Sequence, residues 1–332
     1  MKDFYNLYSI GKNTKKPDSR GKSFGYQVLG FGSGFSSAIA HRGVWAGGLN
    51  PSQQNVIDFV EIATLGNASD FGNLTVAKGR TQGAASSTTR GLFFGGQTPS
   101  RLATIDFITV ATEGNAGDFG DASTTTQNGA AGNNGTRAVH AMGDTADNSV
   151  NILEYVTIAS AGNTTDFGDL TLDRNAISAC SSAVRTCHLG GYSVSAGGNS
   201  NVIDFVSTAS TGNATDFGDL TGVNSASSAC SSATRGINMG GNANSENVIE
   251  FITIASAGNA TDFGDLTTVA NNSGGSASNP TRGIKQIGSA PSIVNTLEYI
   301  TIASAGNASD FGDLTVARNF NGGLSNGNGG LA

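Results

Sequence analysis

The sequence predicts an all-β chain, folded as a β-propeller of six blades with an extended N-terminal arm. A unit of about 48 residues recurs six times, and its segments are short, β-branched and apolar-alternating. No window combines a helical period with helix caps.

The repeat is read first from an Asp-Phe-Gly triplet at Asp70, Asp118, Asp166, Asp216, Asp262 and Asp310, with spacings of 48, 48, 50, 46 and 48. About a dozen residues before each triplet lies an apolar run holding one acid: NVIDFVEIA, TIDFITVA, NILEYVTIA, NVIDFVSTA, NVIEFITIA and NTLEYITIA. Further upstream stands an arginine, at Arg42, Arg90, Arg137, Arg185, Arg235 and Arg282, followed by a short apolar stretch and usually a glycine pair.

One unit shows the expected strands. TQGAASSTT (81–89) is an inner strand of small residues, suited to the crowded centre where blades converge. RGLFFGG (90–96) is a short apolar strand ended by glycines that allow close backbone approach. ATIDFITVAT (103–112) alternates and is rich in β-branched residues. GNAGDFGDA (114–122) is a turn leading into an outer strand. A four-stranded sheet cannot bury both faces alone, so stacking round a closed ring supplies the core.

Composition agrees. Of 332 residues 48 are Gly, and charged residues make up 13%, against about 25% in ordinary globular chains. Such a chain builds thin, closely apposed β layers in place of one Leu-rich core.

The arginine, the glycine pair (Gly47-Gly48, Gly95-Gly96, Gly190-Gly191, Gly240-Gly241) and the acid-aromatic strand resemble the Kelch-repeat family over residues 33–328. The resemblance implies a six-bladed Kelch-like β-propeller. The chain departs from that pattern in lacking the blade tryptophan, since Trp45 is its only Trp, and in two broken glycine pairs, Met142-Gly143 and Ile287-Gly288. The Phe of each triplet is expected to fill the tryptophan's packing role. Repeat wording such as ITIASAGNATDFGDLT, the Asn/Gly/Ser-rich blades and SFGYQVLGFGSG before the first blade are similar to repeat proteins of tailed bacteriophages. That similarity implies a virion component, in a tail, a fibre or the capsid surface.

The domains expected are an arm, 1–32, and the propeller, 33–332. GFSSAIAH (34–41) reads as a first inner strand, while 317–332 reads as a partial seventh repeat or closing strand. Either can complete the first blade. The arm holds six cations against two acids, a local balance of +4 that leaves −11 for the rest of a chain with formal net charge −7. That overall charge argues against nucleic acid as the partner. The arm by itself can be a flexible tail that touches nucleic acid or an acidic surface, or lie along a partner subunit with Phe4, Tyr5, Tyr8, Phe24 and Tyr26 as apolar anchors; the interleaved aromatics favour a protein partner. No secretory leader follows Met1, and no apolar run nears the roughly 18 residues of a membrane span.

A catalytic site is a unique constellation, whereas a residue present in every blade serves every blade. The six arginines, the strand acids Asp58, Asp106, Glu154, Asp204, Glu250 and Glu298, and the six triplet aspartates are therefore expected to be structural, arginine pairing with acid within or between blades. The kinase reading of Asp-Phe-Gly lacks its nucleotide loop, strand lysine and catalytic loop. Stacked calcium turns have a period of nine, not 48. One calcium per turn stays as an alternative to an Asn/Asp turn that caps backbone amides.

Symmetry breaks three residues after each arginine, at Trp45, Phe93, His140, His188, Asn238 and Lys285, which are the candidate binding residues. His140 and His188 occupy matching positions in adjacent blades. They read either as a packed pair or, with Cys187, as a partial metal site. Cys180 and Cys187 can face each other across a hairpin, as buried thiols or as a disulfide; Cys230 repeats the position of Cys180. No G-x-S-x-G elbow, phosphate loop or HExxH is present, and no cofactor is expected. The function expected is non-enzymatic: a virion protein docked by its arm and bearing a propeller that contributes to host-surface adhesion, plausibly to a glycan. The alternatives are a purely architectural decoration protein and a propeller glycan hydrolase using two carboxylates.

Overall fold

Each repeat lays down four antiparallel strands in a simple meander. In the computed structural model, which describes residues 41–146, 148–243, 247–271 and 274–327, the second unit runs Ala84–Ser86, Arg90–Phe94, Ser100–Thr109 and Gly117–Gln127. Units 3 to 6 repeat it, their first strands being Ala130–Asn133, Ser178–Ser181, Ser228–Ser231 and Ser276–Ser278. The described residues are all-β, with no helix long and apolar enough to cross a membrane. The arm, its five aromatic anchors and the segment 34–40 lie outside the described residues.

Unit 1 is completed from the other end of the chain. Gly322–Ser325 pairs antiparallel with Arg42–Ala46, next to Val56–Glu61 and Ser69–Asn73. Of the two terminal stretches able to fill that place, the C-terminal one does so. The sheets thereby follow one another round a nearly closed, barrel-like, propeller-like circuit.

The joints between units explain why a chain so poor in large apolar residues folds. Each of six apolar clusters lies between two consecutive units, and each receives the Phe of one triplet: Phe71, Phe119, Phe167, Phe217, Phe263 or Phe311. The triplet sits at a β-bulge, where Asp58 opposes Asp70 but Ile57 opposes Gly72, so Phe71 has no partner in the ladder and is turned into the joint. It meets the aromatic of its own third strand edge-on, as in Phe59 and Phe71 with ring centres 5.9 Å apart.

Polar contacts fasten the outer rim of the same joint. The Gly114 amide donates to the Phe71 carbonyl (2.8 Å) and the Ala116 amide to the Asn73 carbonyl (2.8 Å), while Asn115 Oδ1 accepts from the Asn73 amide (3.0 Å). This trio recurs at every joint and ends where it began, with Gly66 on Phe311, Ala68 on Asp313 and Asn67 on the Asp313 amide. It caps the outer strand edge, which would otherwise offer free backbone groups to another chain. The approach is so close that a Cβ on Gly72 (φ +146°) would stand 2.4 Å from the Gly114 carbonyl oxygen.

Units 2 and 3 are fused more fully than six separate sheets would be. The fourth strand of unit 2 continues to Gln127 and pairs there with Asp144–Thr145 of unit 3, giving one ten-stranded sheet. The three cysteines are free and buried, with Cys180 directly opposite Cys187 in the hairpin.

Two tests follow from the closure. Removing Asn321–Ala332 is expected to lower the thermal midpoint and cause self-association through the exposed Arg42–Ala46 edge; an unchanged midpoint with a monodisperse sedimentation profile is the contrary result. Gly72→Ala is expected to cost about 2–4 kcal/mol in urea unfolding. Gly114→Ala, at φ +155° but facing open space, is expected to cost clearly less.

Candidate functional site

The recurring arginines and acids do not pair as the sequence suggested, and strand parity is the reason. Arg42 opposes Glu61 in the ladder, whereas Asp58 opposes Trp45, three residues on. An odd separation along a strand puts two side chains on opposite faces. The arginine therefore shares a face with the strand aromatic and the acid shares one with the symmetry-breaking residue.

Each arginine stacks on its own strand aromatic, with its guanidinium carbon 4.2–4.8 Å from the ring centres of Phe59, Phe107, Tyr155, Phe205, Phe251 and Tyr299. It also donates to a carbonyl of the next unit. Arg90 reaches Ile158 (3.0 Å), Arg185 reaches Ile254 (3.0 Å) and Arg282 closes the circle on Ile62 (2.8 Å). Among the described residues only Arg42 of the six meets carboxylates, Glu61 and Glu113, and neither is one of the six recurring acids.

The strand acids are buried and answer to the preceding unit. A Thr or Ser five residues past each triplet Asp donates to the next acid, as Thr75 Oγ1 does to Asp106 (2.5 Å) and Thr315 Oγ1 to Asp58 (2.6 Å). Three acids also receive a buried cation: Lys78 on Asp106 (3.0 Å), Arg318 on Asp58 (3.0 Å), and Arg174 on Asp204. Burial pulls all three cations below their ordinary pKa, and the partner carboxylates oppose that shift. The equivalent positions elsewhere are Thr126, Asn224 and Ala270, and the acids they precede are Glu154, Glu250 and Glu298. A cation thus goes with Asp and its absence with the longer Glu. The correlation was open to sequence comparison but is hidden by the much louder triplet.

The six symmetry-breaking side chains are packing residues and not a binding surface. Trp45, Phe93, His140, His188, Asn238 and Lys285 are each at most 2% exposed. Trp45 Nε1 donates to the Gly275 carbonyl (2.9 Å), Lys285 Nζ to Ser228 Oγ (2.9 Å), and Asn238 Nδ2 to Glu250 (3.2 Å). His140 stacks on Phe94 at 4.6 Å, and burial holds it neutral with its pKa pushed down to about 3. His188 is likewise pushed to about 3 by burial, helped by Arg174 and by His140 itself. Among the described residues no group of three or more His, Cys, Asp or Glu is placed to hold a metal ion. The triplet aspartates are exposed on the rim, and of the Asn and Asp expected to cap backbone amides it is the Asn that does so, across the joint on the neighbouring unit.

The axis is narrow. Gly323, Ala84, Ala131, Ala179, Ala229 and Ser276 face it from the first strands, leaving hollows of about 70 and 40 Å³. Ligand pockets run to roughly 300–1,000 Å³, so the axis suits water and nothing larger.

At one mouth of this axis the units diverge, and the hollow widens to about 380 Å³. Its rim is built from equivalent residues entering the first strands. Arg80 (φ 59°), Asn128 (φ 54°), Ala176 (φ 50°), Ala226 (φ 52°) and Phe320 (φ 53°) are all left-handed though none is glycine. That conformation costs roughly 1–2 kcal/mol for an L-residue. Here it turns the backbone sideways into a belt: the Asn128 amide donates to the Arg80 carbonyl (3.2 Å), Ala176 to Asn128 (2.8 Å), Ala226 to Ala176 (2.8 Å) and Thr81 to Phe320 (3.3 Å). Sequence signals marked Asn128 at best, because alanine is no turn residue.

Side chains round the hollow are amide, hydroxyl and aromatic: Asn128, Asn175, Asn199, Asn242, Ser225, Tyr192 and Phe320, with Arg80. Arg80 is spoken for within the protein, lying over the Phe320 ring at 4.9 Å and reaching Asn128 Oδ1 at 3.5 Å. Tyr192 is 41% exposed, and its backbone is held by two hydrogen bonds with Asn175 (2.8 and 2.9 Å). A second hollow, of about 400 Å³, is lined by the single hairpin Phe107–Gly117 and draws on no other unit.

The chain matches no protein-family model and no curated protein.

Two stability tests bear on the buried groups. Arg318→Met is expected to cost about 3–5 kcal/mol by stranding Asp58, and adding Asp58→Asn to recover a good part of it; strict additivity in urea unfolding is the opposing result. The two histidines bind protons near pH 6.5 when unfolded but only near pH 3 when folded, so the unfolded chain holds more protons in between. Stability should fall as pH drops below 6.5, by up to about 1.4 kcal/mol per pH unit for each histidine. Urea midpoints between pH 6.5 and 5, where ordinary carboxylates stay ionised, should show this slope, and the His140→Gln/His188→Gln variant should flatten it.

Proposed function

We propose that the chain is a six-bladed Kelch-like β-propeller that acts without catalysis as a structural protein of a bacteriophage virion. It stands on the tail, fibre or capsid surface, docked through residues 1–32 to other virion proteins, and takes part in adhesion to the host surface. The observation that carries this reading is how the repeat uses its ionisable side chains. The strand acids, the arginines, and Lys78, Arg174, Arg318 and Lys285 are engaged in strand-to-strand or unit-to-unit contacts. The buried strand acids could serve as the pair of carboxylates flanking a reacting bond, as a glycan hydrolase needs, only by being withdrawn from those joints.

Six four-stranded meanders with first strands round one axis support the propeller reading. The glycine pairs support its Kelch-like character: a Cβ on Gly47 (φ +68°) would meet the Lys78 carbonyl at 2.6 Å. The virion reading draws its support from the likeness of the repeat wording to phage repeat proteins. The adhesive part is supported by the hollow at the mouth, where polar and aromatic side chains differ from unit to unit. Many copies on one particle would turn weak single contacts into firm attachment.

Deleting residues 1–32 is expected to abolish incorporation into particles, read by labelled electron microscopy and immunoblot of purified virions. Normal incorporation would remove the docking role of the arm. Absence of the full-length protein from virions would remove the virion reading altogether.

A further inference from the structure

We propose that the hollow at the axial mouth is a saccharide subsite that takes one uncharged pyranose ring, with Tyr192 as its stacking face and the amides of Asn175 and Asn199 as its hydroxyl readers. The inference rests on the adhesive reading above and gives that reading a place and a ligand class.

The chemistry of the lining selects the ligand. Among the described residues no carboxylate lines the hollow, and Asp144 behind it is taken up by Asn175 and Gln127, so a cation or an amine is not favoured there. Its one cation, Arg80, is already stacked on Phe320, and the chain carries a net charge of −7, so an anionic chain such as nucleic acid is disfavoured. What remains is a set of primary amides. Asn199 presents a donor pair beside an acceptor, while Asn175, held by one Nδ2 hydrogen bond to Asp144 Oδ1 (3.2 Å), keeps a second N–H and its Oδ1, and adjacent ring hydroxyls, which donate and accept in turn, match that arrangement. Tyr192 adds a flat face with a polar tip, fit for a ring that is apolar on one side and hydroxylated at its edge.

The hollow is also pre-organised. The belt of left-handed residues fixes its floor by backbone hydrogen bonds, and Tyr192 is tied to Asn175 at both its amide and its carbonyl. Little ordering is then left for the binding step. Its form is a bowl framed by loops of successive units, which suits a single ring at a chain end better than an extended peptide, for which a groove or open strand edge is the usual receiver. One shallow contact of this kind gives a Kd on the order of 1 mM, usable only when many copies act together.

The test is saturation-transfer NMR on the full chain, with glucose, galactose, mannose and N-acetylglucosamine as neutral probes and with sialic acid and a neutral hexapeptide as comparators. At least one neutral sugar is expected to give a signal. Tyr192→Ala and Asn199→Ala are each expected to weaken it tenfold or more. Val184→Ala, at the other end of the same sheet, is expected to leave it unchanged; matching thermal midpoints show that all variants fold. A sugar signal untouched by both mouth substitutions overturns the subsite while leaving adhesion standing. A signal from sialic acid or the peptide alone, lost in Tyr192→Ala, overturns the neutral-sugar assignment. Failure of the full chain to bind any bacterial surface in a cell-binding assay overturns the adhesive reading itself.

Discussion

Everything in this fold depends on the seam between one repeat and the next. A single unit has four short strands, mostly Ala, Ser, Gly and Thr on the inside, and one bulged Phe that finds no partner in its own sheet. Its apolar surface is covered only when the following unit lies against it, as the clusters at the joints show. The Gly-Asn turn is what makes that contact possible. It brings two backbones to the distance at which amide meets carbonyl, and any side chain at Gly72 or its equivalents would hold them apart. Stability in such a chain is a property of the circuit and not of the units, which is the general condition of repeat proteins with nearest-neighbour cores.

Closure then becomes the sensitive point, because a circuit of identical seams has one that the chain must make from its two ends. Here it is formed by Gly322–Ser325 on Arg42–Ala46, by Arg318 on Asp58 and by Arg282 on the Ile62 carbonyl. These are the same devices used at the other joints. Continuity of the backbone therefore contributes nothing special at the closing seam beyond bringing the ends together, and loop-closure entropy is the added term there.

Much of this was legible in the sequence. The period and the four strands of unit 2 follow from spacing and alternation, the packing role of the triplet Phe was implied by the Kelch resemblance, and the structure buries that Phe in each joint. The misreading of Arg42 and Asp58 as partners came from treating recurrence as proximity. In the register of Arg42–Ala46 with Val56–Glu61, Asp58 lies opposite Trp45, and the odd separation of Trp45 from Arg42 puts the two charges on opposite faces. The candidate binding residues failed for a related reason. Position-by-position variation at Trp45, Phe93, His140, His188, Asn238 and Lys285 looks like specialisation, yet all six side chains are buried inside the protein. The left-handed belt was beyond reach, since Ala176 and Ala226 carry no local signal for that conformation.

The place of the candidate site follows from the same economy of seams. Symmetry fixes whatever every unit needs, so the strands and the outer turns are locked by their joints. Loops at the axial mouth have a lighter duty: their backbones must complete the belt, but their side chains point into a hollow that no seam requires to be filled. Arg80, Asn128 and Phe320 can differ there while their φ angles stay within a few degrees of one another. A backbone conserved in shape with side chains free in kind is the arrangement in which a ring-shaped scaffold can acquire selectivity without loosening its closure. That separation of duties is why the proposed recognition is assigned to the mouth and not to the charged residues that dominate the repeat.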